Sequence, residues 1–146
     1  MKFDRTQPVE VTADALEVDD IAHTGRFSGN VNVKQGDFRL RSDDLTIIYA
    51  KNEDQKASGQ TGKIDKLIAA GNVVIQSLQE KAKSNKAIYD LQKSEILLEG
   101  DVLVTRADGA ISGSRVKIET QSRKIYVLSD PKKRVQAVIK LDEVQK

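Results

Sequence analysis

FSGNVNVKQGDFRLRSDDLTIIY (27–49) holds the pattern that decides the fold. Apolar and polar residues alternate at 30–34, N-V-N-V-K, and again at 45–49, L-T-I-I-Y. Period two sends successive side chains to opposite faces, so each run is a strand with one buried face. Gln35-Gly36-Asp37 lies between the two apolar clusters and reads as a turn. Gly29, at the head of Asn30-Val31, supplies a bend, because glycine reaches backbone conformations closed to other residues.

The pattern recurs twice. Gly71-Asn72-Val73 and Gly100-Asp101-Val102 repeat Gly29-Asn30-Val31, and an ungapped alignment on the three valines extends well beyond them. Val33, Ile75 and Val104 stand two positions on, and Leu40, Ala82 and Ile111 nine on. Leu45, Ala87 and Val116 follow at fourteen, and Ile47, Tyr89 and Ile118 at sixteen. A small residue, Ser42, Ser84 or Gly113, stands at eleven. The anchors lie 42 and then 29 residues apart, and the longer interval holds the polar stretch KNEDQKASGQTGK (51–63). The repeat is therefore about 29 residues with one long loop. Repeats of this length build stacks in which each unit buries a face against its neighbours.

Half-copies flank the repeats. VTADALEV (11–18) resembles RSDDLTI (41–47), placing Leu16 and Val18 inside, and KIYVL (124–128) resembles the strands that precede each glycine. DKLIAAG (65–71) reads as a strand ending at Gly71. Ser129-Asp130-Pro131 reads as a turn, RVQAVIK (134–140) as a last strand, and LDEVQK (141–146) as a loose tail. The expectation is one all-β domain over 1–146, core about 8–140, with loose termini and a dozen or more short antiparallel strands. They fold back on one another as an open β-jelly-roll or solenoid around a narrow apolar slot. Both ends of such a stack offer unpaired backbone groups.

Composition narrows the function. Hydrophobic residues make up 38% of the chain but aromatics only 4%, so the core is thin and aliphatic. A net charge of +2 is too small to indicate nucleic acid, and Phe3, Phe27, Phe38 and three tyrosines are too scattered to stack on bases. Cysteine is absent, and no apolar run approaches the 18 residues of a membrane helix. MKFDRTQPVE (1–10) lacks the apolar stretch of a signal peptide, which implies either a cytosolic protein or a signal already removed. His23, the single histidine, sits in the polar turn DDIAHTGR (19–26), where a surface role is expected rather than a metal site. GAISGS (109–114) lacks the spacing of a nucleophile elbow. Asp19-Asp20 and Asp43-Asp44 are adjacent, so on a strand they point to opposite faces and form no acid–base pair. The chain is expected to be no enzyme and to need no cofactor. Two basic clusters, Lys81-Lys83-Lys86 and Lys132-Lys133-Arg134, read as charged surface and edge protection, or else as contacts to phosphate.

The inner positions are the candidate site. They are Phe27, Val31, Val33, Leu40, Leu45, Ile47, Val73, Ile75, Ala87, Tyr89, Val102, Val104, Ile111, Val116 and Ile118. A folded sheet lined mainly by valine, isoleucine, leucine and alanine leaves space that an acyl chain could fill. Each buried methylene contributes about 0.8 kcal/mol, so a dozen give roughly 10 kcal/mol before the costs of binding. The competing expectation is a structural or adhesive solenoid whose core packs shut and binds no lipid.

Five stretches carry a resemblance: PVEVTADALEVDD (8–20), GRFSGNVNVKQGDFRLRSDDLTIIY (25–49), IDKLIAAGNVVIQS (64–77), AIYD (87–90) and EILLEGDVLVTRADGAISGSRVKIE (95–119). Together they resemble the OstA-like family of periplasmic lipopolysaccharide-transport proteins, over about residues 8–140. The resemblance implies an open β-jelly-roll that holds lipid A acyl chains in its slot. It implies head-to-tail self-association and stacking with the jelly-roll domains of LptC and LptD, bridging the inner and outer membranes. It carries no catalytic residues. Periplasmic location rests on the resemblance alone.

Overall fold

The structure, a computed structural model, describes residues 8–50, 64–129 and 134–139. Ten strands are found among the described residues: β1 (Glu10–Thr12), β2 (Ala15–Asp19), β3 (Thr24–Gln35), β4 (Phe38–Tyr49), β5 (Ile64–Gln76), β6 (Glu80–Asp90), β7 (Glu95–Arg106), β8 (Gly109–Glu119), β9 (Ile125–Leu128) and β10 (Gln136–Ile139). They form one antiparallel sheet in the order β1-β3-β4-β5-β6-β7-β8-β10, with β2 also pairing β3 and β9 also pairing β8.

The six central strands are 11 to 13 residues long, where a dozen or more short strands were expected. Each pair of expected strands around a glycine is one strand, bent but unbroken. DKLIAAG accordingly does not end at Gly71; β5 runs through it to Gln76. A bulge disturbs the ladder for one or two residues and bends the strand without terminating it.

The bends fall on one line. Register shifts lie between Ser28 and Val31, Arg41 and Asp44, Ala70 and Val73, Lys83 and Lys86, and Glu99 and Val102, side by side across the sheet. The sheet folds there into two walls. The first contains the strand halves 24–28, 44–49, 64–70, 86–90, 95–99 and 115–119, edged by β2 and β9. The second contains 31–35, 38–42, 73–76, 80–84, 102–106 and 109–113, edged by β1 and β10. Leu45 and Ile47 of the first wall share one core with Val31 and Val33 of the second, all 0–4% exposed. A flat single sheet leaves both faces wet, so burial this complete requires that the inner faces cover each other.

Local chemistry explains the bend. Gly71 has φ +84° and Asn72 φ +48°, and the other two Gly-Asn/Asp pairs match them closely. Two successive left-handed residues suit glycine followed by Asn or Asp, the non-glycine residues that best tolerate that region. A Cβ at Gly71 would also lie 2.5 Å from Asp43 Oδ2. Side chains clamp the corners. Asn30 Nδ2 donates to Asp14 Oδ2 at 3.1 Å, and Asn72 Nδ2 donates to Asp43 Oδ2 at 2.9 Å. At the third corner the residue types are exchanged, with Asn85 set over Gly100 beside Asp101. The buried Ser42 and Ser84 hydroxyls donate to the carbonyls of Asp44 and Lys86 at 2.9 and 3.0 Å, tying together the two sides of the bend within each strand.

At the tips of the first wall, Asp19 Oδ1 accepts from the amides of Ile21 and Ala22, and Asp90 Oδ1 from those of Gln92 and Lys93. His23 occupies one of these turns, half-buried, with φ +59°. The expected turn at Gly36-Asp37 closes one tip of the second wall, and turns at Leu78-Gln79 and Ala107-Asp108 close the others. The polar stretch 51–63, the Asp130-Pro131 part of the expected turn, Lys132, Lys133 and both tails lie outside the described residues.

One expectation needs correction. Register places Leu16 and Val18 on the inner face, opposite Phe27 and Gly25, yet they are 55% and 62% exposed. β2 is the outermost strand of its wall, so nothing packs beyond it. In β10, which edges the second wall at the other end, every residue is exposed.

Candidate functional site

The fold assembles the inner positions into continuous rows. One row of paired residues crosses the first wall as Leu16, Phe27, Leu45, Ala69, Ala87, Leu98, Val116 and Val127. A second runs beside it as Val18, Gly25, Ile47, Leu67, Tyr89, Ile96, Ile118 and Ile125. On the facing wall a third contains Val11, Val33, Leu40, Ile75, Ala82, Val104, Ile111 and Ala137. The rows lie perpendicular to the strands, so they run the length of the stack from one open edge to the other.

Twelve of the fifteen candidates are buried in the shared core. Phe27 and Tyr89 are half-buried and pack against it. Ile111 is half-buried near the C-terminal edge, between Val104 and Ala137. The structure adds Leu67, Ala69, Ile96, Leu98, Ile125 and Val127. The alignment on Val31, Val73 and Val102 stops sixteen positions on; carried further it pairs Ile96 with Ile125 and Leu98 with Val127, while Leu67 and Ala69 stand before Gly71. The same period-two alternation read backward from Gly71 and Gly100 finds Leu67, Ala69, Ile96 and Leu98.

The interior is closed along its middle. Ala69, Ala82 and Ala87, with the smallest side chains of the rows, are only 1–3% exposed, so water does not enter between the walls at β5 and β6. Space opens at the wall tips. A cleft of about 1350 Å³ lies between the turns of the second wall and the ends of β8 and β9. Its apolar floor includes Phe38 and Ile118, both core residues, and its rim carries Asp37, Glu80, Arg106, Asp108 and Arg123, with Arg106 paired to Glu80. Leu78, 79% exposed, projects from one of the turns. Apolar floor and charged rim suit an amphiphile, tail inward and polar group outward.

The polar candidates have structural positions. Asp19 caps a turn, Asp43 clamps a corner, and Asp44 pairs with Arg26 at 3.1 Å. Among the described residues no cluster of His, Asp or Glu could hold a metal ion, and no helix is long and apolar enough to cross a membrane. Lys117, on the outer face of the first wall, donates to Glu95 at 3.1 Å, and that hydrogen bond and charge hold its ammonium above the usual lysine range. Lys81 and Lys83 lie on the outer face of the second wall, whereas Lys86 lies on the first, opposite Glu99.

Comparison with known proteins follows the fold closely. Residues 10–124 match the family described as LptA/(LptD N-terminal domain) LPS transport protein. The lipopolysaccharide export system protein LptA of Escherichia coli K12 is 24% identical over 148 residues, covering 97% of this chain and 76% of that protein. The export system protein LptH of Pseudomonas aeruginosa is 37% identical over 60 residues, covering 41% of this chain and 34% of that protein. An uncharacterized protein of Rhizobium meliloti is 25% identical over 120 residues, covering 82% of this chain, which spans 64% of that relative's length. The crystal structure of P. aeruginosa LptH, described as the LptA-homologous periplasmic component of a lipopolysaccharide transport device, has the same fold. Its TM-score is 0.80 at 21% identity, covering 96% of this chain and all of that one.

Proposed function

The chain belongs to the LptA/LptD N-terminal domain family of lipopolysaccharide-transport proteins, and from that premise we propose that it carries lipopolysaccharide by holding acyl chains between its two walls. The observation that supports this reading is the set of apolar rows running unbroken along the stack and reaching its edge as exposed Leu16 and Val18. A lipid sliding along such rows exchanges one aliphatic contact for an equivalent one, so movement needs no chemistry in this chain. The driving force comes from elsewhere, and the chain acts as a conduit, not an enzyme. The fifteen candidates, with Leu67, Ala69, Ile96 and Leu98, form the acyl contact surface.

Because the middle of the interior is closed, the walls separate to admit a chain. Binding must then offset the lost contact between walls as well as the ordering of the lipid. At about 0.8 kcal/mol per buried methylene, several full-length acyl chains together supply the required energy. The open edges serve as docking surfaces. β1 and β2 at one end and β9 and β10 at the other present unpaired strands to a further jelly-roll domain, either a second copy or those of LptC and LptD, in a head-to-tail stack across the periplasm.

The test is photo-crosslinking to rough lipopolysaccharide from Ile47, on the inner face, and Thr46, its outward neighbour. Label at 47 and not at 46 is expected. The closed middle also favours a second reading, a structural stack with a permanently packed core, and absence of label from both positions in a folded protein would establish that one instead.

A further inference from the structure

The outer faces of the two walls differ in how their charges are arranged. On the first wall cations and carboxylates alternate across the ladders, and the one run of like charge among the described residues, Asp90, Glu95 and Glu119, has Lys66 opposite Asp90 and Lys117 bonded to Glu95. Arg26 lies opposite Glu17 and reaches Asp44, and Lys86 lies opposite Glu99. On the second wall the outward positions of β3, β4 and β6 include Lys34, Arg39, Arg41, Lys81 and Lys83, all exposed. Lys34 stands directly opposite Arg39. The row from Arg39 continues through Gln76 to Lys81, and the row from Arg41 through Val74 to Lys83. Glu10, opposite Lys34, is the one acidic residue on these two rows among the described residues. None of the five cations has an ion pair among the described residues.

Like charges directly opposite each other destabilise a sheet. Edge protection does not account for them, because β4 and β6 are interior strands with a neighbour on each side. The cleft at the wall tips includes none of the five, so they do not line the candidate lipid site. With strands about 4.8 Å apart, β3 to β6 spans roughly 14 Å. A lattice of that width, spread over the face of a sheet, encloses no single anion; it matches a surface of repeated phosphates.

We infer that the outer face of the second wall is a contact surface for an anionic phospholipid layer, with Lys34, Arg39, Arg41, Lys81 and Lys83 facing the head-group phosphates. The face holds the protein against the membrane by charge alone, so attachment is reversible and leaves the apolar interior free. Each cation near an anionic surface strengthens attachment about fivefold.

The full chain is sedimented with vesicles of phosphatidylcholine, alone or mixed with phosphatidylglycerol. Binding to the mixed vesicles only, with release at high salt, is expected. The triple variant R39Q/R41Q/K83Q is expected to bind about 100-fold more weakly, while K86Q/R115Q, altered on the first wall, binds as the wild type does. All five substituted residues are exposed, and thermal unfolding of each variant checks that it folds. Equal binding to pure phosphatidylcholine, or binding that persists at high salt, would overturn the inference in favour of insertion through apolar surface. So would a triple variant that binds like the wild type, or a wild type that binds neither vesicle. Release by modest inorganic phosphate at constant ionic strength would point to recognition of single phosphates instead. The Ile47 crosslink, measured on the same variant, keeps the two readings apart. A triple variant that loses the crosslink but still binds vesicles would assign these cations to the cargo and not to the membrane.

Discussion

Asn72 Nδ2 donates to Asp43 Oδ2 at 2.9 Å across the fold line, joining residues 29 positions apart in sequence. The pair closes over the left-handed Gly71-Asn72 corner, so backbone conformation and side-chain contact specify the same bend. The two contributions are separable. Asn72→Gly keeps the backbone conformation and loses only an exposed hydrogen bond, for about 0.5 kcal/mol. Asn72→Ala loses both, for about 1–2 kcal/mol, and Gly71→Ala costs about 2 kcal/mol or more because its Cβ meets Asp43. Urea unfolding midpoints in the order wild type, Asn72→Gly, Asn72→Ala, Gly71→Ala are expected. Equal midpoints for the two Asn72 variants would show that backbone strain plays no part.

Ser84 makes the analogous test of the bulge on a neighbouring strand. Its buried hydroxyl donates to the Lys86 carbonyl across the shift in register between Lys83 and Lys86. Ser84→Ala leaves that acceptor without its donor and is expected to cost about 1–2 kcal/mol in the same assay. Ser122→Ala, which removes a hydroxyl bonded to Glu119 in an exposed turn, is expected to be nearly neutral.

Lys117 gives a pH signature. Its ammonium is held above the usual lysine range chiefly by the hydrogen bond and charge of Glu95. A raised folded-state value means that its stabilising contribution is fully present below the unfolded-state pKa and is lost as pH rises through the folded one. The melting-temperature gap between wild type and Glu95→Gln is therefore expected to be constant from neutral pH up to the lysine range and to narrow above it. A gap unchanged at high alkaline pH would assign the effect of Glu95 to something other than Lys117. Because the group is exposed, the gap itself is expected to be small.

Much of this architecture is legible in the residues because bend and burial have separate local codes. Gly29-Asn30, Gly71-Asn72 and Gly100-Asp101 mark the fold line, and the alternation after each marks the inner face. Strand number is less legible, since Gly71 looks like a terminus when it is a bend, and only the pairing of Asp44 with Ala70 and of Leu40 with Ile75 joins the two halves. The exposure of Leu16 and Val18 is not legible at all. Their alternation is that of buried Leu45 and Ile47, and what differs is that β2 has no strand beyond it. Nor does an aliphatic pattern distinguish an open slot from a closed one. The closure at Ala69, Ala82 and Ala87 depends on how near the walls stand, which alternation alone does not encode.

The exposed edges yield the last prediction. A head-to-tail contact uses two different surfaces, so blocking one leaves the other competent. Leu16→Asp with Val18→Asp puts charge on the inner face of the first edge, where the substituted residues are already exposed and the fold should survive. Removing residues 134–140 deletes β10 and alters the opposite edge. Each variant alone is expected to remain monomeric at concentrations where the wild type forms a ladder of oligomers by light scattering. Mixed together, they retain one good edge of each kind and should form dimers and nothing larger. A two-fold symmetric contact predicts otherwise, because the variant whose lost edge is irrelevant would still dimerise alone. Mixing thus separates a stack that can extend from a pair that closes.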